Sequence, residues 1–436
     1  MTEQPSDIAP ELFSPVRTEG NHTELFVDGP DSLAMLLREI KQARHYIHFQ
    51  VMLFYSDEAG FKIAKALAEK AREGVDVRVM SDSDMSSIVR MLEKYRSSGS
   101  SDFSDLKDLF VQAGVKFVAS DKESYKMDNW DEERAKLRNK GVPEEFLAMQ
   151  DVIQQGITLN ADTLDHRKIL VFDGESAVIT GMNIGNKYLY EQSPADEQEN
   201  IGEMWHDGAV LIKGPCVAVL NKNFASKWMV RGGDIFDFRK RHNSQESYGN
   251  DVCTVFGYFP GMKENHIRNY YLQKLKECKG TFIIENPYIN DEHFWKQLSE
   301  LKEEQARKIV LINPYKAKGN DYMQNESAIQ CRMWEPLQKG VSFYSYRKRM
   351  THWKIALDVA NNEVFFGSYN LNHRSALHDF EVNVLVESPQ LARQVLAMLK
   401  HDIEDASVKI SDASEFHQHP HLHPSCLLLN ATEYFE

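Results

Sequence analysis

An internal duplication constrains the fold of this chain more than any other feature of its sequence. The segment 109–118 precedes a pair of predicted strands that contains His166, and the similar segment 336–344 precedes a pair that contains His352. Upstream of both, the strand-like run 75–80 has its counterpart in 308–315. Two copies of a unit of roughly 160–200 residues, as produced by gene duplication, therefore account for most of the 436 residues.

Helices and strands alternate at the beginning of the first copy. Leu33, Leu36, Leu37 and Ile40 recur at helical spacing, and the strand-like run 46–55 follows. A second helix is predicted from Phe61 to Glu73, closed by Gly74, before the alternating strand 75–80. This order is typical of layered α/β proteins. The sequence therefore predicts two pseudo-symmetric α/β lobes, each with a mixed, mostly parallel sheet flanked by helices.

The predicted boundaries follow changes in composition. They are an N-terminal leader at 1–23, a first lobe at 24–232, a linker at 233–250, a second lobe at 251–410 and a His-rich tail at 411–436. The charged, predicted helical segment 120–160 has no counterpart in the second lobe. It is either a solvated surface insertion or a lid or partner-binding arm. The tail is either an incidental run of histidines or a metal-binding segment.

Charge and cysteine content weigh against some classes of function. The net charge of −14 disfavours the broad basic surface that nucleic-acid binding needs, so no nucleic-acid partner is expected. The five cysteines show no CxxC spacing, and we predict reduced thiols in a cytoplasmic protein. No run approaches about 20 apolar residues, and no secretory signal is visible. These features favour a soluble or peripheral protein.

Each copy carries the same short motif: a His-x-Lys step, an apolar strand, a tight turn and a returning strand that ends in Asn. The residues are His166, Lys168 and Asn183 in the first copy, and His352, Lys354 and Asn370 in the second. Side chains two apart on a strand project from the same face. An imidazole, an ammonium and an amide thus converge, which suits the oxygens of a phosphate group.

This double motif resembles the phospholipase D superfamily, from Leu25 to about Pro389. Several stretches are also similar to bacterial cardiolipin synthases, namely 181–185, 205–215, 286–288, 367–375 and 379–383. The resemblance implies one composite active site at the lobe interface. The residues it assigns are His166, Lys168, Asp173, His352 and Lys354 as catalytic and Asn183, Asn370 and Ser368 as phosphate-binding.

The resemblance also implies a double displacement that needs no metal and no cofactor. His166 would attack phosphorus to give a phosphohistidine, and His352 would act as acid and base, although the residues alone do not distinguish the two. The motif lysines and asparagines would hold the non-bridging oxygens. Asp207 and Glu381 are predicted to orient the histidines, by resemblance and position. The alternative for each is an ordinary carboxylate at a strand end.

The second motif departs from the pattern at its acid. Asp173 fits the first motif, whereas Asp358 lies one position early and Val359 stands in the expected place. A shift of one residue on a strand reverses the face, which leaves open whether Asp358 replaces Asp173. Because this Asp is expected to brace the motif and not to react, we expect the site to survive.

The sequence thus predicts an enzyme that transfers a phosphatidyl group to an alcohol, for example to form cardiolipin from phosphatidylglycerol. We expect a peripheral protein on the cytoplasmic face of the inner membrane. One alternative is a phospholipase D that releases phosphatidic acid, because acceptor choice depends on water exclusion. Others are a nuclease, or a phosphate- or lipid-binding protein with a decayed second motif. The oligomeric state is left open.

Overall fold

A computed structural model describes most of the chain. The described residues are 14–82, 103–120, 129–139, 142, 144, 147, 151, 164–190, 204–231, 233–234, 246–260, 262, 264–317, 323–419, 423, 424 and 426. The elements of the first half are β1 (Val16–Val27), α1 (Asp28–Gln42), β2 (Tyr46–Gln50), α2 (Glu58–Arg72), β3 (Asp76–Ser81), α3 (Phe103–Ala113), β4 (Lys116–Ala119), α4 (Trp130–Asn139), β5 (Ile169–Phe172), β6 (Ser176–Thr180), α5 (Asn186–Leu189), β7 (Gly208–Lys213) and α6 (Cys216–Val230).

The second half repeats the same succession. Its elements are β8 (Asp251–Tyr258), α7 (His266–Glu277), β9 (Phe282–Glu285), α8 (Glu292–Glu300), α9 (Glu303–Ala306), β10 (Ile309–Asn313), α10 (Met323–Arg332), α11 (Trp334–Lys339), β11 (Ser342–Tyr346), β12 (Ile355–Asp358), β13 (Glu363–Gly367), α12 (His373–Leu377), β14 (Glu381–Glu387), α13 (Pro389–His401) and β15 (Ser407–Ile410). A π-helical turn, Asp402–Ala406, continues α13, and a short 3-10 turn, Ala413–Glu415, follows β15.

The described strands form one continuous mixed sheet with an internal repeat. Its order is β4-β3-β2-β5-β6-β7-β1-β8-β14-β13-β12-β9-β10-β11-β15. From the central β1–β8 pair outward, the strands of the two halves follow in the same order, and β15 is an addition at the second edge. The prediction of a two-lobed α/β fold is confirmed.

The prediction that each sheet is mostly parallel is wrong. Among the described strands, parallel pairing is confined to β2–β3–β4 and β9–β10–β11. The remaining pairs are antiparallel, because β5–β6 and β12–β13 are hairpins that tight turns close. The alternation of helices and strands that suggested parallel pairing holds only for the early part of each half.

Part of the predicted N-terminal leader, residues 1–23, is a strand in the structure. Residues 16–23 belong to this strand, which pairs with β7 on one side and with β8 on the other, both antiparallel. Its sequence is polar and its burial partial, so it lacks the apolar alternation from which a strand is predicted. This segment is a strand because β7 and β8 provide hydrogen-bond partners for its backbone groups. It joins the two halves of the sheet.

Helices cover both faces of the sheet and create three main apolar cores. Helices α1, α2 and α3 enclose the core of the first half, while α7, α8 and α11 border that of the second. A third core contains residues of α6, α13 and strands from both halves. Along β5, Ile169 belongs to this shared core and Leu170 to the first, as the period of a strand requires. The shared core holds the two lobes together.

The prediction that all five cysteines are reduced thiols is wrong for two of them. The structure joins Cys331 and Cys426 in a disulfide across 95 residues, while Cys216, Cys253 and Cys278 are free and buried. Spacing in the sequence carried no signal of this pair, because it depends on how the tail folds back onto α10. Most of the predicted linker 233–250 and much of the insertion 120–160 lie outside the described residues, although α4 within the insertion is helical as predicted. Among the described helices, none is long and apolar enough to cross a membrane.

Candidate active site

The two His-x-Lys steps lie side by side at the boundary between the lobes. Each step directly precedes the first strand of its hairpin, β5 or β12. The backbone N–H of His166 donates to the carbonyl of Phe380 at 3.0 Å, and that of His352 donates to the carbonyl of His206 at 2.6 Å. Each motif is therefore hydrogen-bonded to a segment of the opposite half, which fixes its direction of approach.

The carboxylates behind the histidines are exchanged between the lobes. Nδ1 of His166 lies 3.0 Å from Oε1 of Glu381, at the start of β14 in the second half. Nδ1 of His352 lies 2.7 Å from Oδ2 of Asp207, just before β7 in the first half. A carboxylate that accepts from Nδ1–H leaves the lone pair on Nε2 of the ring. Both imidazoles are thereby held in the tautomer whose Nε2 can accept a proton or attack.

Two buried lysines accompany the histidines. Nζ of Lys168 donates to the carbonyl of His166 at 2.6 Å, and Nζ of Lys354 donates to the carbonyl of His352 at 2.7 Å. Burial lowers the pKa of Lys168 to about 8 and that of Lys354 to about 7, although Glu381 and Asp207 act in the opposite direction. The repulsion of Lys168 contributes to the shift at Lys354, so charges from both lobes meet in one place.

The histidines are neutral because they share this environment. Burial, reinforced by Lys168 and Lys354, lowers the pKa of His166 to about 4. Burial and then Lys354 lower the pKa of His352 well below its usual value, with further repulsion from Lys168 and His166. A bound phosphodiester carries negative charge and would raise the pKa of all four groups. The arrangement is suited to an anionic phosphate.

The two carboxylates differ in their hydrogen bonds. Glu381 accepts from Ser375 Oγ at 2.6 Å and from Ser368 Oγ, as well as from His166. Burial opposes its ionisation, but His166 and the two hydroxyls outweigh burial and lower the pKa of Glu381. Burial raises the pKa of Asp207 to about 7 despite Lys354 and the N–H of Gly208. Glu381 is therefore the more firmly anionic of the pair.

The predicted phosphate ligands have different surroundings. The hydroxyl of Ser368 donates its hydrogen to Glu381, so this side chain supports the carboxylate. Its role as a phosphate ligand stays a prediction. Asn183 accepts from the N–H of Leu53 at 3.0 Å and donates to the Tyr188 hydroxyl at 3.2 Å. One N–H of its amide is left for a phosphate. Asn370 is buried beside the second motif, and the described residues offer no partner to its Oδ1.

The motif aspartates lie away from the histidines, at the far ends of their strands. Asp173 follows β5 and accepts from the backbone N–H groups of Arg44, His45 and Tyr46 at 2.7, 2.7 and 2.8 Å. Asp358 ends β12 and accepts from Lys274 Nζ at 2.8 Å and from Asn361 Nδ2 at 2.7 Å. Both brace a hairpin, but they do so through different partners, and neither contacts an imidazole among the described residues.

An aromatic wall beside His352 was not predicted. Trp205, Tyr188 and Tyr288 lie with ring centroids 4.8, 5.5 and 6.2 Å from that of His352. Nζ of Lys187 lies 4.4 Å from the Trp205 centroid, a cation–π distance. The wall excludes water from one side of the ring. Trp205 and Tyr288 stand within stretches that carried the family resemblance, which was the available signal.

A buried ionic cluster lies one residue from Asp207. His206 Nδ1 is 2.7 Å from Asp28 Oδ1, and its Nε2 is 3.3 Å from Asp402 Oδ1, with Glu285 close by. Burial disfavours charge on His206, but the bonds to Asp28 and Asp402 overcome it and raise the pKa of the ring to about 10. Nδ1 of His206 faces Asp28 and Nε2 lies within ion-pair distance of Asp402, so a charged ring has a carboxylate on each side, and we interpret the cluster as an ion network.

Each of the two similar lobes contributes one His-Lys pair to a shared site, and each histidine is bonded to a carboxylate of the other lobe. This architecture is that of the phospholipase D class. The family model described as "Cardiolipin synthase, PLD-like domain" matches residues 36–228 and 271–403. The chain therefore belongs to this family, as the double motif predicted, and it is a phosphodiester-transferring enzyme.

Relatives and solved structures agree with this assignment. The chain is 24% identical over 394 residues to "Cardiolipin synthase 1" of Staphylococcus aureus (strain COL), covering 88% of this chain and 68% of the relative. It is 25% identical over 398 residues to "Cardiolipin synthase" of Clostridium perfringens (strain SM101 / Type A), covering 89% and 71%. The crystal structure of a phosphatidylserine synthase from Haemophilus influenzae Rd KW20 has a TM-score of 0.58 at 14% identity, covering 99% of this chain and 98% of the other. That likeness shows the fold.

Proposed function

We propose that this protein is a phosphatidyltransferase similar to cardiolipin synthase, which joins two phosphatidylglycerol molecules through a phosphohistidine intermediate. The observation that carries the proposal is the pair of neutral imidazoles, each fixed at Nδ1 by a carboxylate of the opposite lobe. The family and its cardiolipin synthase relatives support the lipid class.

In the first step, Nε2 of His166 attacks phosphorus of the donor lipid. The bond from phosphorus to the glycerol head-group oxygen breaks, and His352 donates a proton to that oxygen, so that free glycerol leaves. His352 holds this proton once the anionic substrate has raised its pKa. Lys168, Lys354, Asn183 and Asn370 hold the non-bridging oxygens and stabilise the five-coordinate state.

In the second step, His352 takes a proton from a hydroxyl of the second phosphatidylglycerol. The oxygen attacks the phosphohistidine, the P–N bond breaks, and the electron pair returns to Nε2 of His166. We assign attack to His166 because its carboxylate, Glu381, is the more firmly anionic, and an anion at Nδ1 makes Nε2 more basic. The aromatic wall beside His352 disfavours water as acceptor.

A lipid substrate requires the protein to work at a membrane surface. We propose peripheral attachment on the cytoplasmic face of the inner membrane. Sedimentation with phosphatidylglycerol vesicles, compared with phosphatidylcholine vesicles, tests the attachment. Fractionation of cells that express the chain tests the location.

The function is tested by incubating the protein with phosphatidylglycerol vesicles, with and without EDTA. Cardiolipin and glycerol in equal amounts support the synthase, and phosphatidic acid would show a hydrolase instead. Vesicle binding without turnover would indicate a binding protein, and cleavage of a single-stranded oligonucleotide would indicate a nuclease. We expect His166→Ala to abolish turnover and His293→Ala, an exposed site on α8, to leave it unchanged.

The intermediate has its own test. Phosphohistidine survives alkaline quenching, whereas alkali cleaves the acyl esters of the lipid. A lipid labelled at its phosphorus should therefore leave label on the wild-type protein. No label should remain on His166→Ala. Label that persists in His166→Ala would overturn the assignment of the nucleophile.

A further inference from the structure

The C-terminal tail folds back onto α10, far along the chain from both motifs. The backbone N–H of His417 donates to the carbonyl of Gln330 at 3.0 Å, and Cys426 packs against Cys331 and Ala328. These three small side chains form a separate apolar cluster among the described residues. Such a cluster buries little area, so it needs a covalent or metal link to hold a chain segment in place.

Two histidines converge on the sulfur atoms of this cluster. The ligand atoms of His417, His423 and Cys426 lie within 4.8 Å of one another. Sγ of Cys331 adjoins this group, because it is bonded to Sγ of Cys426. Four tetrahedral zinc ligands, with Zn–S and Zn–N bonds of about 2.3 and 2.0 Å, stand about 3.3–3.8 Å apart. Cys331 can join His417, His423 and Cys426 only after its bond to Cys426 is broken and the two sulfur atoms move apart to that spacing.

The disulfide by itself does not explain why two imidazole rings lie beside Cys426. The rings of His417 and His423 stack with centroids 3.7 Å apart beside Cys426, although a disulfide needs no histidine. A surface cleft lined by Trp295, Trp334 and His417 leads to the cluster from solvent. The cluster thus has suitable donors and a route of entry.

We propose that, in the reduced protein, Cys331, Cys426, His417 and His423 bind one zinc ion in a structural Cys2His2 site that fastens the tail to α10. The disulfide is the oxidised, metal-free form of the same site. A dithiol reductant passes two electrons and two protons to the disulfide and becomes a cyclic disulfide itself. Zinc then binds both sulfurs as thiolates with release of two protons. Four protein ligands close the coordination sphere, which makes the site structural.

The test measures zinc retained by the full chain. Protein reduced with a dithiol under anaerobic conditions is loaded with Zn²⁺, dialysed and analysed by mass spectrometry for metal content. We expect about one zinc per chain in the wild type and loss of most of it in His417→Ala/His423→Ala. His419→Ala is the matched control, because it removes an exposed histidine of the same tail and should leave the zinc content unchanged.

Two further measurements make the result decisive. Cobalt in place of zinc should give the absorption of a tetrahedral site with thiolate charge transfer, and Cys331→Ser/Cys426→Ser should lose it. Reoxidation should release the metal as the disulfide forms. Reduced protein with both thiols titratable that retains no zinc would overturn the proposal, as would equal retention by the double histidine variant. Lipid turnover is not needed for any readout, so the outcome is independent of the proposed function.

Discussion

Replacement of Glu381 by Gln is the most informative single change at the proposed site. The amide keeps the shape of the carboxylate, which accepts from His166 Nδ1 at 3.0 Å and from two serine hydroxyls. If the new NH2 group faces Nδ1, the ring hydrogen must move to Nε2, the atom that attacks. If the amide oxygen faces Nδ1, the tautomer is kept but the anion is lost.

The magnitude follows from these two effects. A carboxylate-to-amide change that reverses the tautomer of a catalytic histidine costs about 10⁴ in kcat, or ~5.5 kcal/mol of activation free energy. Loss of the anion alone lowers the basicity of His166, and each pKa unit corresponds to about 1.4 kcal/mol. We therefore expect Glu381→Gln to lower kcat for phosphatidylglycerol about 10³–10⁴-fold, with a smaller change in KM.

The assay is release of glycerol under saturating lipid, with thermal unfolding to establish that the variant is folded. Ser375→Ala keeps the carboxylate and removes one hydrogen bond, so it should cost only about tenfold, or ~1.4 kcal/mol. A Glu381→Gln enzyme within tenfold of the wild type would refute the reasoning.

Three further predictions concern pH and stability. The ratio kcat/KM should rise with pH through about 4, where His166 loses its proton, and fall above about 7, where Lys354 becomes neutral. Lys354→Arg should move the alkaline fall of this profile to higher pH. A fall at the same pH as in the wild type would contradict the role of Lys354. Asp173→Ala leaves three N–H groups without their acceptor, that of Tyr46 buried, and should lower the free energy of unfolding in urea by about 2–4 kcal/mol, against about 1–2 kcal/mol for Asp358→Ala. Equal losses for the two variants would contradict this prediction. Asp402→Asn should destabilise the protein by about 3 kcal/mol because it removes a partner of charged His206. The folded pKa of His206 is raised, so its stabilisation is complete below about pH 6.5 and lost toward about 10; a melting temperature of Asp402→Asn equal to the wild type at pH 6 would contradict this.

The residues of the motifs could be predicted from sequence because the same local pattern occurs twice. His and Lys two apart before an apolar strand, with Asn at the end of the next, is a local pattern in each half. The exchange of carboxylates could not be predicted in this way, since Asp207 follows the first motif and Glu381 the second. Which carboxylate meets which ring depends on how the lobes pack, and packing is not encoded in spacing.

Other misses have the same origin. The polar β1 is a strand because β7 and β8 satisfy its backbone, and its own residues give no apolar alternation. The hydroxyl of Ser368 donates to Glu381, a partner that the spacing of Ser368 and Asn370 does not reveal. The Cys331–Cys426 pair joins residues of α10 and the tail that only the fold brings together. Local chemistry was predictable, and long-range partnership was not.

The two halves differ in sequence beside the carboxylates that hold the two histidines. Ser368 stands two residues before Asn370, and Gly181 stands two before Asn183, so they occupy equivalent places. A Cβ at Gly181 would lie 3.0 Å from both carboxylate oxygens of Asp207 and 3.2 Å from Lys354 Cδ, which excludes a serine there without movement.

Glu381 consequently receives a hydroxyl that Asp207 does not, and the pKa of Glu381 is lowered while that of Asp207 is raised to about 7. A duplicated fold would otherwise present two equal histidines to one phosphorus. The serine-for-glycine difference is one of the contacts, with His166 and Ser375, that give His166 the stronger anion, and it contributes to separating the proposed nucleophile from the proposed acid and base.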